Sequence, residues 1–128
     1  MAFETRWLHR GVYKRFSGNV CATEFFSSIS EVQNHPDYDF FKFSAINFLD
    51  VESYEISLDD VTGFIALGLG AKISNPNLVV AIVATHDGIL TLIRNHYEPI
   101  AGYKMGYFQC DADATVWLKA QTNLAVEI

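Results

Sequence analysis

The stretch Leu78–Ala84 reads Leu-Val-Val-Ala-Ile-Val-Ala and contains no polar side chain. An uninterrupted apolar run of this length is typical of a strand that is covered on both faces of a sheet. The turn-forming residues Asn75–Asn77 stand immediately before it. The stretch therefore predicts the central parallel strand of an α/β domain.

The segments before this strand predict strand, helix, strand and helix in turn. Apolar residues recur at helical spacing after Ala22 and again after Ser57. Ser57 forms a capping-box pattern with Asp60, whereas the first helix has Cys21 at the cap position. The first predicted element is Trp7–Phe16, which is either one strand or a hairpin bent at Gly11 and is stopped by Ser17–Asn19. The others are a helix from Ala22 to Val32, a strand at Phe40–Phe48 and a helix from Ser57 to Ile73.

The segments after the central strand continue the alternation. Asp87 and Asp111 each stand where an N-cap would begin a helix, and Met105–Gln109 between them predicts the last strand. The tail Thr122–Ile128 fits either an added edge strand or a loose end. Parallel strands need crossover connections, which are usually helices, and 128 residues is the size of one domain. We therefore expect a single domain over residues 1–128, an open α/β structure with helices packed on a largely parallel sheet.

The charge balance argues against nucleic acid as a partner. The formal net charge is −6, and affinity for phosphate backbones depends on Lys and Arg. Four basic residues cluster near the start of the chain, and we expect them to form a solvated strand face: Arg6, Arg10, Lys14 and Arg15.

The distribution of apolar residues and cysteines favours a cytoplasmic protein. No apolar run reaches the roughly 18 residues that cross a bilayer, and Glu4 and Arg6 interrupt the position of a signal peptide. Cys21 and Cys110 form no metal or disulfide pattern, so we expect free thiols.

The order of these elements, with several short motifs, resembles the SpoIIAA-like family, which belongs with the STAS domains and is similar to the lipid-binding SEC14 domain. The matching residues are Gly18, Ala22, Glu24 and Phe25, the strand end Asn47–Val51, the strand Ala81–Thr85, and Ala114, Trp117 and Leu118. The resemblance implies a STAS-like fold and a non-enzymatic regulatory module that acts by binding another protein or itself.

The phosphorylation switch of STAS regulators has no clear counterpart in this sequence. In those regulators the modified Ser or Thr directly follows an Asp, whereas the equivalent stretch here is Asp50-Val51-Glu52-Ser53. Ser53 and Ser57 lie nearby, and Ser57 is explained more simply as a helix cap. Many SpoIIAA-like chains also carry Asp at the position of Asn47.

Polar residues converge at one place, the carboxyl edge of the predicted sheet. In open α/β sheets, ligands bind outside the carboxyl ends of the strands. The candidate ligand-binding residues at this edge are Asn47, Asp50, Thr85, His86 and Asp87, with Cys110 and Asp111 beside them. The alternative is that these residues only cap helices and satisfy loop backbones.

Motifs for catalysis, cofactors and metals are missing from the sequence. Gly63–Gly68 has the glycine spacing of a phosphate loop, but Leu69-Gly70 stand where Lys and Ser or Thr are required. No serine lies in a Gly-x-Ser-x-Gly turn, and the four histidines, His9, His35, His86 and His96, share no metal-ligand spacing. We therefore expect no cofactor, no metal and no enzyme, with a hydrolase or transferase using His86 and Asp87 as the weakest alternative.

Aromatic residues make up 14% of the chain, more than a small core obviously needs. Some of them should line a pocket or a subunit interface. A self-complementary interface would fit a homodimer formed through Tyr97–Phe108. An internal pocket would fit a carrier or sensor that holds a small apolar or lipid ligand between sheet and helix, as in SEC14 domains. Both hypotheses remain open at this point.

Overall fold

The computed structural model describes residues 2–128 and contains a five-stranded sheet with the spatial order β1-β2-β3-β4-β5. The first two strands are antiparallel, and every other neighbouring pair is parallel. The predicted α/β class is confirmed, as is the parallel pairing of the two long apolar runs. The middle strand of the five is β3, however. The run Leu78–Ala84, predicted as the central strand, contains β4, which lies between β3 and the edge strand β5. The strands are β1 Phe3–Leu8, β2 Gly11–Cys21, β3 Phe43–Glu55, β4 Val79–Val83 and β5 Lys104–Phe108.

Two layers of helices cover the sheet. On one face lie α1, α2, α3 and α4, with a π-helical segment at Ile93–Tyr97 joining α3 to α4. On the other face α5 and the tail pack against β3 and β4. The helices are α1 Ala22–Gln33, α2 Leu58–Ser74, α3 Asp87–Leu92, α4 Glu98–Ala101 and α5 Asp111–Thr122.

β2 and β3 both extend beyond their predicted ends. The stop expected at Ser17–Asn19 is wrong, because β2 continues to Cys21 with register shifts on either side of Gly18. Gly18 adopts a positive φ of 69°, which a glycine tolerates and a β-bulge can use. The turn residues therefore bend the strand without ending it, and the extra length pairs with the end of β3.

The caps of two helices differ from the prediction by one residue. α3 begins after His86, whose Nδ1 accepts hydrogen bonds from the backbone N–H groups of Gly88 (3.2 Å) and Ile89 (3.4 Å). α5 begins after Cys110. Asp87 and Asp111 are thus first-turn residues, where a carboxylate favours the helix dipole.

The capping box of α2 is confirmed. The Ser57 hydroxyl accepts from the Asp60 N–H (3.1 Å), and the Asp60 carboxylate accepts from the Ser57 N–H (2.8 Å). Gly63 lies in the interior of α2 at a point where a Cβ atom would stand 2.9 Å from the Phe26 ring, so the site has no room for a larger residue. This close approach of α1 and α2 accounts for one of the three glycines in the helix.

The solvated face expected for the N-terminal cluster is wrong for Lys14, which is only 2% exposed. Successive side chains of a strand point to opposite faces of a sheet. Val12 and Phe16, two residues to either side, are fully buried under the helices, so Lys14 enters the same layer. Arg6 remains exposed, and Arg10 and Arg15 are partly exposed.

The tail is neither an added strand nor a loose end. Val126 is 3% exposed in the core between α5 and the sheet, and Leu124 and Ile128 pack beside it without strand pairing. Among residues 2–128, no helix combines the length and hydropathy needed to span a membrane.

Candidate functional site

At the carboxyl edge of the sheet, the buried Asn47 belongs to a partly buried hydrogen-bonded group. Its Nδ2 donates to Asp111 Oδ1 (2.9 Å), and its Oδ1 accepts from the Leu49 N–H (2.8 Å). The second oxygen of Asp111 accepts from the Tyr13 hydroxyl (3.0 Å). Burial and the Asp111 carboxylate both raise the pKa of Tyr13. The group ties β2, β3 and α5 together.

Asp50 lies on the surface beside this group and forms an ion pair with Arg15, whose Nε is 2.7 Å from Oδ2. The Arg15 guanidinium lowers the pKa of Asp50. Both side chains are nearly half exposed, so solvent and salt screen the pair. The pairing leaves Asp50 with its charge already compensated.

Thr85, His86 and Asp87 form a separate group at the β4–α3 connection. Thr85 and Asp87 are exposed, whereas His86 is partly buried with its ring centroid 5.6 Å from that of Tyr54. The Nδ1 of His86 is occupied by the α3 cap. This agrees with the capping alternative for His86, and ligand binding by the five predicted residues stays a prediction.

The two candidate serines lie in different settings. Ser53 is exposed and its hydroxyl donates to Asn19 Oδ1 (2.9 Å), whereas Ser57 caps α2. Cys21 and Cys110 are free cysteines, as expected.

The most distinctive feature of the helical face is a cavity of about 140 Å³ between the sheet and α1, α2 and the π-helical segment. Most of its walls are apolar, including Phe25 of α1, Val61 of α2, Val80 and Ile82 of β4, and Ile93. The π-helical segment is a further unusual feature, since π turns are rare and are frequent at functional sites.

Lys14 is the one charged residue in the described lining of this cavity. Its Nζ donates to the backbone carbonyl and to the hydroxyl of Ser28 on α1, and lies 5.6 Å from the centroid of the Phe3 ring. Burial lowers the pKa of Lys14 to about 8, and the more distant Glu31 partly opposes this shift. The Nζ therefore remains largely protonated at neutral pH while enclosed by apolar walls.

Four tyrosines lie in the same lining, and three of them, Tyr38, Tyr97 and Tyr103, have raised pKa values. The Tyr38 hydroxyl donates to the carbonyl of Ala71 (3.3 Å), and burial raises the pKa of Tyr97 to about 12. Burial also raises the pKa of Tyr38 and Tyr103. These hydroxyls stay protonated at physiological pH and can donate hydrogen bonds.

The aromatic residues of β5 pack within the chain. Phe108 lies against Trp117 of α5 with ring centroids 5.5 Å apart. The Tyr107 hydroxyl donates to Glu98, and the Arg94 guanidinium lies 4.3 Å from its ring centroid. These contacts occupy part of the aromatic surface of β5, and the homodimer interface at Tyr97–Phe108 stays a prediction.

Comparison with solved structures shows the fold. The chain is similar to the anti-sigma factor antagonist SpoIIAA in its unphosphorylated form, with a TM-score of 0.62 and 10% identity over 92% of this chain and 98% of that one. It is also similar to an uncharacterized DUF3478-family protein with a SpoIIAA-like fold from Shewanella loihica PV-4, with a TM-score of 0.59 and 13% identity over 91% and 92% of the two chains. No protein-family model and no curated protein matches the sequence. The chain therefore has the SpoIIAA-like fold that its sequence resembles.

Proposed function

We propose that this protein is a non-enzymatic STAS-type module that senses or carries a small apolar molecule in the cavity between its sheet and its helices. The observation that carries the proposal is the cavity itself, about 140 Å³ with mainly apolar walls. The SpoIIAA-like fold supports a regulatory role. The apolar-ligand hypothesis gains over the protein-interaction hypothesis because the pocket it requires is present.

The size of the cavity limits the ligand. A cavity of about 150 Å³ with apolar walls stays dry and binds benzene. A cavity of about 140 Å³ thus suits one ring or a short aliphatic chain. A diacyl phospholipid is much larger than this cavity, so the proposed ligand is a small apolar molecule.

The position of the cavity provides a route from binding to regulation. Its walls include residues of α1, α2 and the π-helical segment, which form one outer layer of the domain. A ligand that binds only the folded state stabilises it, by about 2.7 kcal/mol at a concentration of 100 Kd. Occupancy would therefore favour one packing of these helices over others.

Two neighbouring valines provide a matched test. Val80 lines the cavity, whereas Val79 packs against the opposite helical layer. We expect toluene to raise the Tm of the wild-type protein. Val80→Phe should fold and lose this response because the added ring fills the space, whereas Val79→Phe should be destabilised by roughly 1 to 3 kcal/mol through overpacking and keep the response. An equal response in wild type and Val80→Phe would contradict the proposal.

Native mass spectrometry of the freshly purified protein tests the same proposal without an added probe. A retained mass corresponding to a small apolar compound supports it. The same spectrum separates this function from self-association, since a dimer without added mass would favour the interaction hypothesis.

A protein partner is the second candidate function, and exposed apolar residues on α2 favour it. Leu69 and Ile73 lie one helical turn apart and are 57% and 83% exposed. Ile73→Glu should leave the fold intact and weaken any self-association measured by sedimentation. If the wild-type protein already sediments as a monomer, and Ile73→Glu sediments in the same way, the exposed residues of α2 do not form a homodimer interface.

A further inference from the structure

We propose that the ligand is a small apolar carboxylic acid and that the Lys14 ammonium binds its carboxylate inside the cavity. The inference rests on the proposed ligand-binding function and adds the chemistry of the headgroup. The expected class has one ring or a chain of about six to eight carbons, because the cavity is close in volume to one that holds benzene.

Lys14 lacks an acidic partner among residues 2–128. In residues 2–128 the ion pair within 4.0 Å joins Arg15 to Asp50, and Lys14 has none. Lysine is almost never fully buried unless it is paired, because removing a charge from water is costly. A ligand carboxylate in the adjacent space would supply the missing counter-charge.

The ammonium group of Lys14 has hydrogen-bonding capacity left for a ligand. A protonated lysine has three donors. Two of them are engaged by the carbonyl and hydroxyl oxygens of Ser28. One donor remains for a ligand, and Lys14 and Ser28 both line the cavity.

The remaining residues of the lining suit an apolar tail and carry no negative charge that would repel an anion. Lys14 is the one charged side chain in the described lining, and Glu31, the nearest acidic influence on it, is not a lining residue. Glu31 is exposed and its Oε2 accepts from the Thr5 hydroxyl (2.8 Å). The site is therefore a single buried cation beside apolar walls, which matches an apolar acid.

The structural alternative is a lysine that only joins β2 to α1 through Ser28. The two roles differ in headgroup preference. A purely structural lysine predicts that an acid and an alcohol with the same tail bind equally, whereas an anion-binding lysine predicts preference for the acid.

The experiment measures the affinities of octanoate and octanol for wild type and Lys14→Met by titration calorimetry at pH 6.5. Methionine keeps the length of the side chain and removes the charge. We expect wild type to prefer octanoate on the order of tenfold, since a hydrogen bond from an ammonium group to a carboxylate is stronger than one to a neutral hydroxyl. We expect Lys14→Met to lose this preference and still bind octanol, because the apolar walls are unchanged.

The outcomes separate the two proposals. Equal affinities of wild type for octanoate and octanol, or a preference that survives in Lys14→Met, overturn the carboxylate proposal and leave the apolar cavity standing. Binding of neither probe overturns both. Should Lys14→Met fail to fold, NMR of isotope-labelled lysine nitrogens in wild type decides: octanoate must raise the pKa of Lys14, octanol must not, and the opposite result overturns the proposal.

Discussion

Lys14 donates hydrogen bonds to both oxygens of Ser28, so a buried ammonium connects β2 to α1 at the wall of the cavity. Because the lysine carries its charge in an apolar environment, the free energy of unfolding should depend on its protonation. Both residues line the cavity that we propose as the ligand site.

The Lys14 contribution to stability should depend on pH. Its folded-state pKa is about 8, below the ordinary value of 10.5, so the unfolded chain binds more protons between these two pH values and stability rises there with pH. From pH 7 to pH 10, wild type should gain roughly 2 to 3 kcal/mol relative to Lys14→Met. The tyrosines with raised pKa values act above pH 10 in both proteins and cancel in the difference. Urea unfolding at a series of pH values measures the gain, and a difference independent of pH contradicts the burial of a charged Lys14.

Asn47→Asp should destabilise the protein at neutral pH. The change replaces the amide donor that faces Asp111 Oδ1 at 2.9 Å with a second carboxylate. Repulsion raises the pKa of one carboxyl in the folded state, so the loss grows as pH rises through that pKa and disappears in acid. We expect a loss of about 1 to 3 kcal/mol at pH 7.

The double variant Asn47→Asp with Asp111→Asn is the control for that change. It restores one carboxylate facing one amide, so most of the lost stability should return. If the double variant is no more stable than Asn47→Asp, the contact between these two side chains is not the cause.

Ser57→Ala should lower the free energy of unfolding by about 1 kcal/mol, because the Asp60 N–H loses its side-chain acceptor. Ser57→Asp should recover most of the loss, since Asp also caps helices. Thermal unfolding measures both. A Ser57→Asp variant that is fully stable but loses binding to a partner would instead support regulation by phosphorylation.

Ile82→Ala should cost about 2 to 5 kcal/mol and enlarge the cavity, because Ile82 is 2% exposed and lines it. The variant should therefore bind naphthalene more tightly than wild type does. Leu118→Ala, at a fully buried position on the opposite face, is the matched control and should be destabilised without any change in naphthalene affinity. A similar gain in naphthalene affinity in both variants would mean that naphthalene does not bind in the cavity.

The sequence allowed prediction of the features that depend on local patterns. The apolar run at Leu78–Ala84 predicted β4 because an uninterrupted apolar run of this length is typical of a strand covered on both faces. Ser57 with Asp60 predicted the start of α2. The end of β2 was missed because Gly18 forms a bulge where a turn was expected. Whether a glycine ends a strand or bends it depends on the pairing of the neighbouring strand.

The candidate site was harder to predict, because its residues are defined by orientation and volume. Lys14 was assigned to a solvated face on its charge, although its position two residues from Val12 and from Phe16 indicated the buried face. The cavity depends on how far α1 and α2 stand from the sheet, and no residue pattern encodes that distance. The sequence did indicate a surplus of aromatic residues, and Phe25, Tyr97 and Tyr103 are among those lining the cavity.

Binding of a small apolar ligand in the cavity is best tested by an NMR titration of the isotope-labelled protein with toluene. We expect saturable shifts of Phe25, Val61 and Ile93, which line the cavity, and little change at Ala114 and Leu118 on the opposite face of the sheet. A spectrum without saturable shifts, or with shifts concentrated at Ala114 and Leu118, would contradict it.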